Sequence, residues 1–157
     1  MSGALRKVCL AGPLRSGKST LWRELTGMPA KSHGFSVGQF LGHPGIGLWD
    51  SHGGCALDSL GQVFLGGAET VLVTVAADMR DGGMEARRIA AAVRALNPTA
   101  RLGFVLTRAD LGIGLDIDEL AELGPVFPII RGRGPGLAAM LRFATNQSLV
   151  GEVRDVA

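Results

Sequence analysis

The segment Gly12-Pro13-Leu14-Arg15-Ser16-Gly17-Lys18-Ser19 limits what this chain can fold into more sharply than anything else in it. It follows a short apolar run of strand character, Val8-Cys9-Leu10-Ala11, and opens a helical stretch from about Lys18 to Thr26. A strand that turns through glycines directly into a helix lines backbone N–H groups around a concavity, with the positive end of the helix behind them. That is a cradle for phosphate, and the spacing fits the phosphate-loop pattern GxxxxGK[ST]. Lys18 would reach the β- and γ-phosphates of a nucleotide as a point charge, and the Ser19 hydroxyl would ligate Mg²⁺. Gly12, Arg15, Ser16, Gly17 and Thr20 complete the expected contacts to the phosphates. Because 24 of the 157 residues are glycine, glycine-based motifs arise easily here. At this chain's own residue frequencies the full pattern would still arise by accident in roughly 0.6% of such sequences. Its place between a strand and a helix is a second condition that chance need not meet.

Further along, apolar β-prone runs alternate with segments of helical period. Strands are expected at Val71–Ala76, Leu102–Leu106 and Val126–Ile130, and helices at Glu85–Leu96, Ile117–Leu123 and Gly136–Ala144. Phe35–Leu41 and Gly45–Trp49 are expected to pair as a hairpin, with His43-Pro44-Gly45 in its turn. The alternation predicts an α/β fold in three layers, with about six mostly parallel strands, one antiparallel edge strand and about five helices. Ligands on such sheets bind at the carboxyl ends of the strands. With 46% hydrophobic residues the chain can bury a sizeable core, so residues 1–150 are expected to form a single domain ahead of a polar tail, 151–157. A net charge of +2 gives no electrostatic ground for a nucleic-acid partner. Two cysteines are too few for a disulfide framework, and the three histidines are too irregularly spaced for a metal site. No apolar run approaches the roughly 20 residues of a membrane helix, and neither a signal peptide nor a lipid anchor is expected. The expectation is a soluble, cytoplasmic protein.

Three further segments resemble those of the P-loop small GTPases, the Ras-like and compact bacterial GTP-binding proteins, and the likeness runs over nearly the whole chain. Trp49-Asp50-Ser51-His52-Gly53 is similar to the family's WDxxG segment. The resemblance implies that Asp50 serves the Mg²⁺ ion and that the Gly53 N–H senses the γ-phosphate. Thr107-Arg108-Ala109-Asp110 resembles the guanine-reading NKxD segment in its TKxD form, with arginine in place of lysine. A carboxylate in the plane of guanine accepts hydrogen bonds from N1–H and the exocyclic amine, and adenine offers no such pair. The Arg108 guanidinium and stem could cover the face of the base. The alternative for Asp110 is a turn-capping role. Ile130-Arg131 stand where the family's last base-binding loop has Ser-Ala, ahead of a retained Gly134-x-Gly136-Leu137. The contact in that loop is largely a backbone N–H.

The resemblance implies GTP or GDP with Mg²⁺ as cofactor, switching between the two nucleotide states, slow intrinsic hydrolysis and an effector or activating protein as partner. Ser36, in Ser36-Val37-Gly38, is similar to the first-switch threonine that ligates Mg²⁺, with Ser32 the alternative. Gly54 stands where Ras-like proteins place the glutamine that orients the attacking water, and glycine cannot do this. Lys18 and Arg15 are therefore the expected catalytic residues. Arg15-Ser16-Gly17-Lys18-Ser19 resembles the loop of guanylate-binding proteins, whose arginine acts in cis when two GTP-bound domains meet, and this implies a nucleotide-dependent homodimer. A solvated loop charge is the alternative for Arg15. Two other functions fit the motif: a non-catalytic scaffold that stays GTP-loaded, and a small P-loop kinase. Arg87-Arg88 sit in a helical pattern without the lid-like loop such a kinase needs. Asp78, which closes an apolar strand, is an alternative to Asp50 as the metal carboxylate.

Overall fold

The computed structural model describes residues 6–13, 15–29, 35–51, 61–111, 114–130 and 135–145. Within them the chain runs β1 (Arg6–Ala11), α1 (Lys18–Thr26), β2 (Phe35–Phe40), β3 (His43–Ser51), α2 (Gly61–Leu65), β4 (Thr70–Ala76), α3 (Gly82–Leu96), β5 (Arg101–Thr107), α4 (Ile117–Ala121), β6 (Val126–Pro128) and α5 (Pro135–Thr145). A short 3₁₀ turn, Ala109–Leu111, follows β5. The six strands form one sheet in the order β2-β3-β1-β4-β5-β6. β2 pairs antiparallel with β3, and the other four neighbouring pairs are parallel. The α/β class and the antiparallel edge strand agree with the sequence expectation.

Strand periodicity explains how the sheet is covered on both faces. Side chains alternate along a strand, so adjacent residues face opposite layers. Cys9, Val71, Val73, Val75, Phe104 and Leu106 join one apolar cluster, together with Phe64 of α2, Ile89 of α3 and Leu120 of α4. Their neighbours Val8, Leu10, Leu72 and Val105 join a second, with Leu21 and Trp22 of α1 and Met140 of α5. β4, covered on both sides, is buried at every residue. That is the environment in which a continuous apolar run reads as a central parallel strand. Cys9 belongs to this packing. Its thiol donates to the Phe64 carbonyl at 3.1 Å, and burial pushes its pKa up to about 12.

The hairpin differs from expectation. Its turn is Leu41-Gly42, and His43, Pro44 and Gly45 begin β3. Gly42 adopts φ 81°, a left-handed conformation that glycine reaches without a steric penalty. Phe40 pairs with His43 while Gln39 pairs with Gly47, so Pro44, Gly45 and Ile46 form an irregularity in the ladder. Pro44 falls where its missing N–H loses no ladder bond. α3 starts three residues before the expected Glu85, β6 ends at Pro128 and not Ile130, and α4 ends at Ala121. The five-residue α2 has no counterpart in the sequence reading. No helix among the described residues is long and apolar enough to cross a membrane.

Candidate functional site

The loop between β1 and α1 lies across the carboxyl end of the sheet. Gly12 has φ 156°, and a Cβ built there would sit 2.0 Å from Thr74 Oγ1, so the loop backbone rests directly on β4. Ser16 is 1% exposed. Its hydroxyl lies 2.6 Å from Thr74 Oγ1, and its carbonyl accepts a hydrogen bond from the Thr107 hydroxyl at 2.6 Å. The Arg15 carbonyl accepts from the Arg108 guanidinium, tying the loop to the segment after β5. Arg15 and Arg108 both occupy left-handed backbone conformations, with φ 64° and 56°. Such conformations are costly for residues with a Cβ, and persist where the surroundings hold them. Asp78, just past β4, lies 3.5 Å from Arg108 Nε through Oδ1.

Gly17, at φ 85°, precedes α1 and provides no side-chain cap, and the first turn of that helix carries no acidic residue. No capping side chain or first-turn carboxylate therefore competes for the positive dipole end of this nine-residue helix. Lys18 is buried there. Its Nζ lies 3.7 Å from Asp50 Oδ1 and donates to the Ser51 carbonyl at the end of β3. Ser36 is the register partner of Asp50 across the β2–β3 ladder, so the two side chains share a sheet face, and both are buried. Of the two carboxylates considered for the metal, Asp50 is the one beside Lys18, whereas Asp78 pairs with Arg108.

A cavity of about 640 Å³ opens between the start of α1 and the segment after β5. Arg15, Gly17, Ser19 and Thr20 line one side, and Thr107, Arg108 and Asp110 another. Leu21 and Ile129 contribute apolar surface, and Glu24 a carboxylate. The structure therefore brings seven of the expected nucleotide-contact residues around one cavity, with Lys18, Asp50 and Ser36 in an adjoining buried cluster. Ile130 is exposed, one position after the cavity-lining Ile129. Gly53, Arg131, Gly54 and Ser32 lie outside the described residues.

Sequence reasoning did not identify Thr74, Leu21 or Glu24 as parts of this region. Thr74 left one trace, a lone hydroxyl inside the apolar run Val71–Ala76. Leu21 and Glu24 follow Lys18 at three and six positions along α1, a helical spacing that carries side chains along the cavity wall. Among the described residues no group of three or more His, Cys, Asp and Glu side chains is placed to hold a metal by itself. Neither a scan against models of protein families nor a search of curated proteins returned a match for this chain.

Proposed function

We propose that the protein binds guanine nucleotides together with Mg²⁺ and acts as a small GTP-binding switch of the P-loop type, hydrolysing GTP slowly and regulating a protein partner. One observation carries this reading. A single cavity is bounded by the glycine-rich loop and helix start on one side and by Thr107, Arg108 and Asp110 on the other. Backbone amides, Lys18 and the N-terminal start of α1 suit phosphates, and the carboxylate of Asp110 suits the N1–H and amine of guanine. The volume is in the range of small-molecule sites.

The donor set fits magnesium. Mg²⁺ prefers hard oxygen ligands and is usually held by one or two carboxylates with the substrate's phosphates. Ser19, Asp50 and Ser36 offer two hydroxyls and one carboxylate, and no larger protein cage is needed. When bound, the ion would neutralise developing negative charge on the phosphates. Lys18 binds phosphate oxygens, Arg15 adds positive charge at the cavity mouth, and Asp110 selects the base. The kinase alternative gains no support, because Arg87 and Arg88 lie within α3 and face Glu119 and Glu85 at 3.6 and 3.1 Å.

Titration of purified protein with GTP, GDP and ATP in the presence of Mg²⁺ tests the reading. The expected result is micromolar or tighter GTP binding, with ATP weaker by about a hundredfold or more. Equal binding of ATP would overturn guanine selection, and no binding of any nucleotide would overturn the function. GTP binding with no phosphate release, even with a partner present, would instead favour the non-catalytic scaffold.

A further inference from the structure

Thr74 stands in the middle of a strand that is otherwise buried for apolar packing. It is 0% exposed, and Leu72, on the same face, contributes to the cluster under α1 and α5. A hydroxyl at such a place costs free energy unless it is hydrogen-bonded. Thr74 Oγ1 donates to the Ala11 carbonyl at 3.2 Å and lies 2.6 Å from Ser16 Oγ. A hydroxyl carries one proton, so with Ala11 as acceptor the proton between the two side chains comes from Ser16. The chain Ser16 to Thr74 to Ala11 thus closes the loop back onto the end of β1. Gly12 leaves no room for anything between loop and hydroxyl.

We propose that Thr74 is a positioning residue for the nucleotide's phosphate cradle: its hydroxyl fixes the height of Ser16 above the sheet, and with it the direction of the amides that follow. This rests on the nucleotide reading above. Thr74 acts through Ser16 and Gly12 and need not touch the ligand. Thr107, bonded to the Ser16 carbonyl, fastens the same residue from β5. The two threonines hold Ser16 by its side chain and by its backbone.

Valine is the informative replacement, because it keeps the shape and removes the hydroxyl. A carbon needs about 3.3–3.6 Å from an oxygen, and Thr74→Val would set its methyl where an oxygen now lies 2.6 Å from Ser16 Oγ. Ser16 must then move outward, and its hydroxyl loses its acceptor. Thr74→Ser keeps the bond.

The test measures GDP affinity with Mg²⁺, melting temperature and amide exchange across Ser16 to Ser19. It uses the wild type, Thr74→Ser, Thr74→Val, Ser16→Ala and the double variant. Thr74→Val is expected to weaken GDP by roughly ten- to a hundredfold and to speed exchange of the loop amides, while Thr74→Ser retains both. In the double variant the clash and the orphaned donor are gone, so melting temperature returns toward the wild type. Affinity stays low there, because nothing straps the loop. Wild-type affinity in Thr74→Val overturns the proposal. So does affinity that recovers with melting temperature in the double variant, since the pair would then serve packing alone. If the wild type binds no guanine nucleotide, the functional reading falls by itself. Loop exchange then decides the strap: faster in Thr74→Val but not in Thr74→Ser upholds it, and no change overturns it.

Discussion

Gly12→Ala probes the contact on which the loop geometry depends. The added Cβ would meet Thr74 Oγ1 at 2.0 Å, and both Ser16 Oγ and the Thr74 carbonyl oxygen at 2.9 Å. Ordinary carbon–oxygen contact needs about 3.3–3.6 Å, so the first of these falls short by roughly 1.3 Å. Thr74 is fully buried in the middle of β4, between β1 and β5, and cannot yield. The loop has to move. It must also leave φ 156°, a conformation that alanine rarely adopts. Backbone strain of about 1–3 kcal/mol and a further 1–3 kcal/mol for overpacking put the loss of stability at about 2–6 kcal/mol. A displacement of about 1 Å in a site's positioning groups costs on the order of a hundredfold in what they do. GDP affinity, measured by displacement of a fluorescent analogue, should fall by at least that factor. Denaturant melts run in parallel distinguish a displaced loop from an unfolded chain. Adding Thr74→Ala removes the nearest obstacle and should recover part of the stability, leaving the carbonyl contact and the backbone strain. Wild-type affinity in Gly12→Ala would refute the reasoning, since a loop that can shift by an ångström without effect is not holding phosphate.

Asp110→Asn should weaken GTP binding by about a thousandfold, because an amide donor would face the donors of guanine, and should favour xanthosine triphosphate; unchanged GTP affinity by calorimetry would reduce Asp110 to a turn residue. Lys18→Ala should abolish triphosphate binding, and Ser19→Ala should flatten the Mg²⁺ dependence of affinity, which titration with and without chelator reads directly. Arg15→Ala should leave GDP binding nearly intact and remove any rise in GTP hydrolysis with protein concentration; an arginine finger is worth about 10³–10⁵ in rate, so a mutant that keeps the stimulated rate eliminates the cis role. Cys9 gives a pH test. Its pKa is 9.0 unfolded and about 12 folded, so the unfolded chain releases the proton first and stability falls as pH rises from 9 toward 12. Between about pH 8 and 10.5 the wild type should lose about 2 kcal/mol relative to Cys9→Ala in urea melts.

Legibility in the sequence followed the range of the interaction that decides each feature. α1 begins and ends where expected, because the loop pattern fixes its start and Gly27, at φ 72°, ends it with its N–H on the Arg23 carbonyl. β4 and β5 read directly as apolar runs, being buried on both faces. The five-residue α2 was hidden because it is too short for a helical period, and Phe64 and Leu65 anchor it through contacts the sequence does not display. The hairpin turn went astray because Pro44-Gly45 carries a strong turn signal, while the irregularity in the β2–β3 ladder absorbs it within a strand. In the site, residues within the motifs themselves were found, whereas Leu21 and Glu24, just past the phosphate loop on α1, were not. Thr74 was not, because it meets Ser16 across 58 positions of chain and a threonine in a strand reads as ordinary β-propensity.

The sheet order explains why these distant segments converge. β1 has β3 on one side and β4 on the other, all three parallel, so their carboxyl ends share one edge. The chain leaves β1 toward β3 and later builds β4, β5 and β6 on the opposite side, which makes the end of β1 a topological switch point. The glycine-rich loop emerges there, with Asp50 and Ser51 from β3 and Thr74 from β4 beside it. Lys18 then occupies a divided position: it lies 3.7 Å from Asp50 and is the first residue of α1, the helix end that suits an anion. Drawing the ammonium toward a phosphate removes a cation from beside a carboxylate that is 5% exposed. A divalent cation on the same carboxylate would offset the weakened pairing. Phosphate binding and metal binding are therefore expected to be linked through Asp50, each strengthening the other by the same factor.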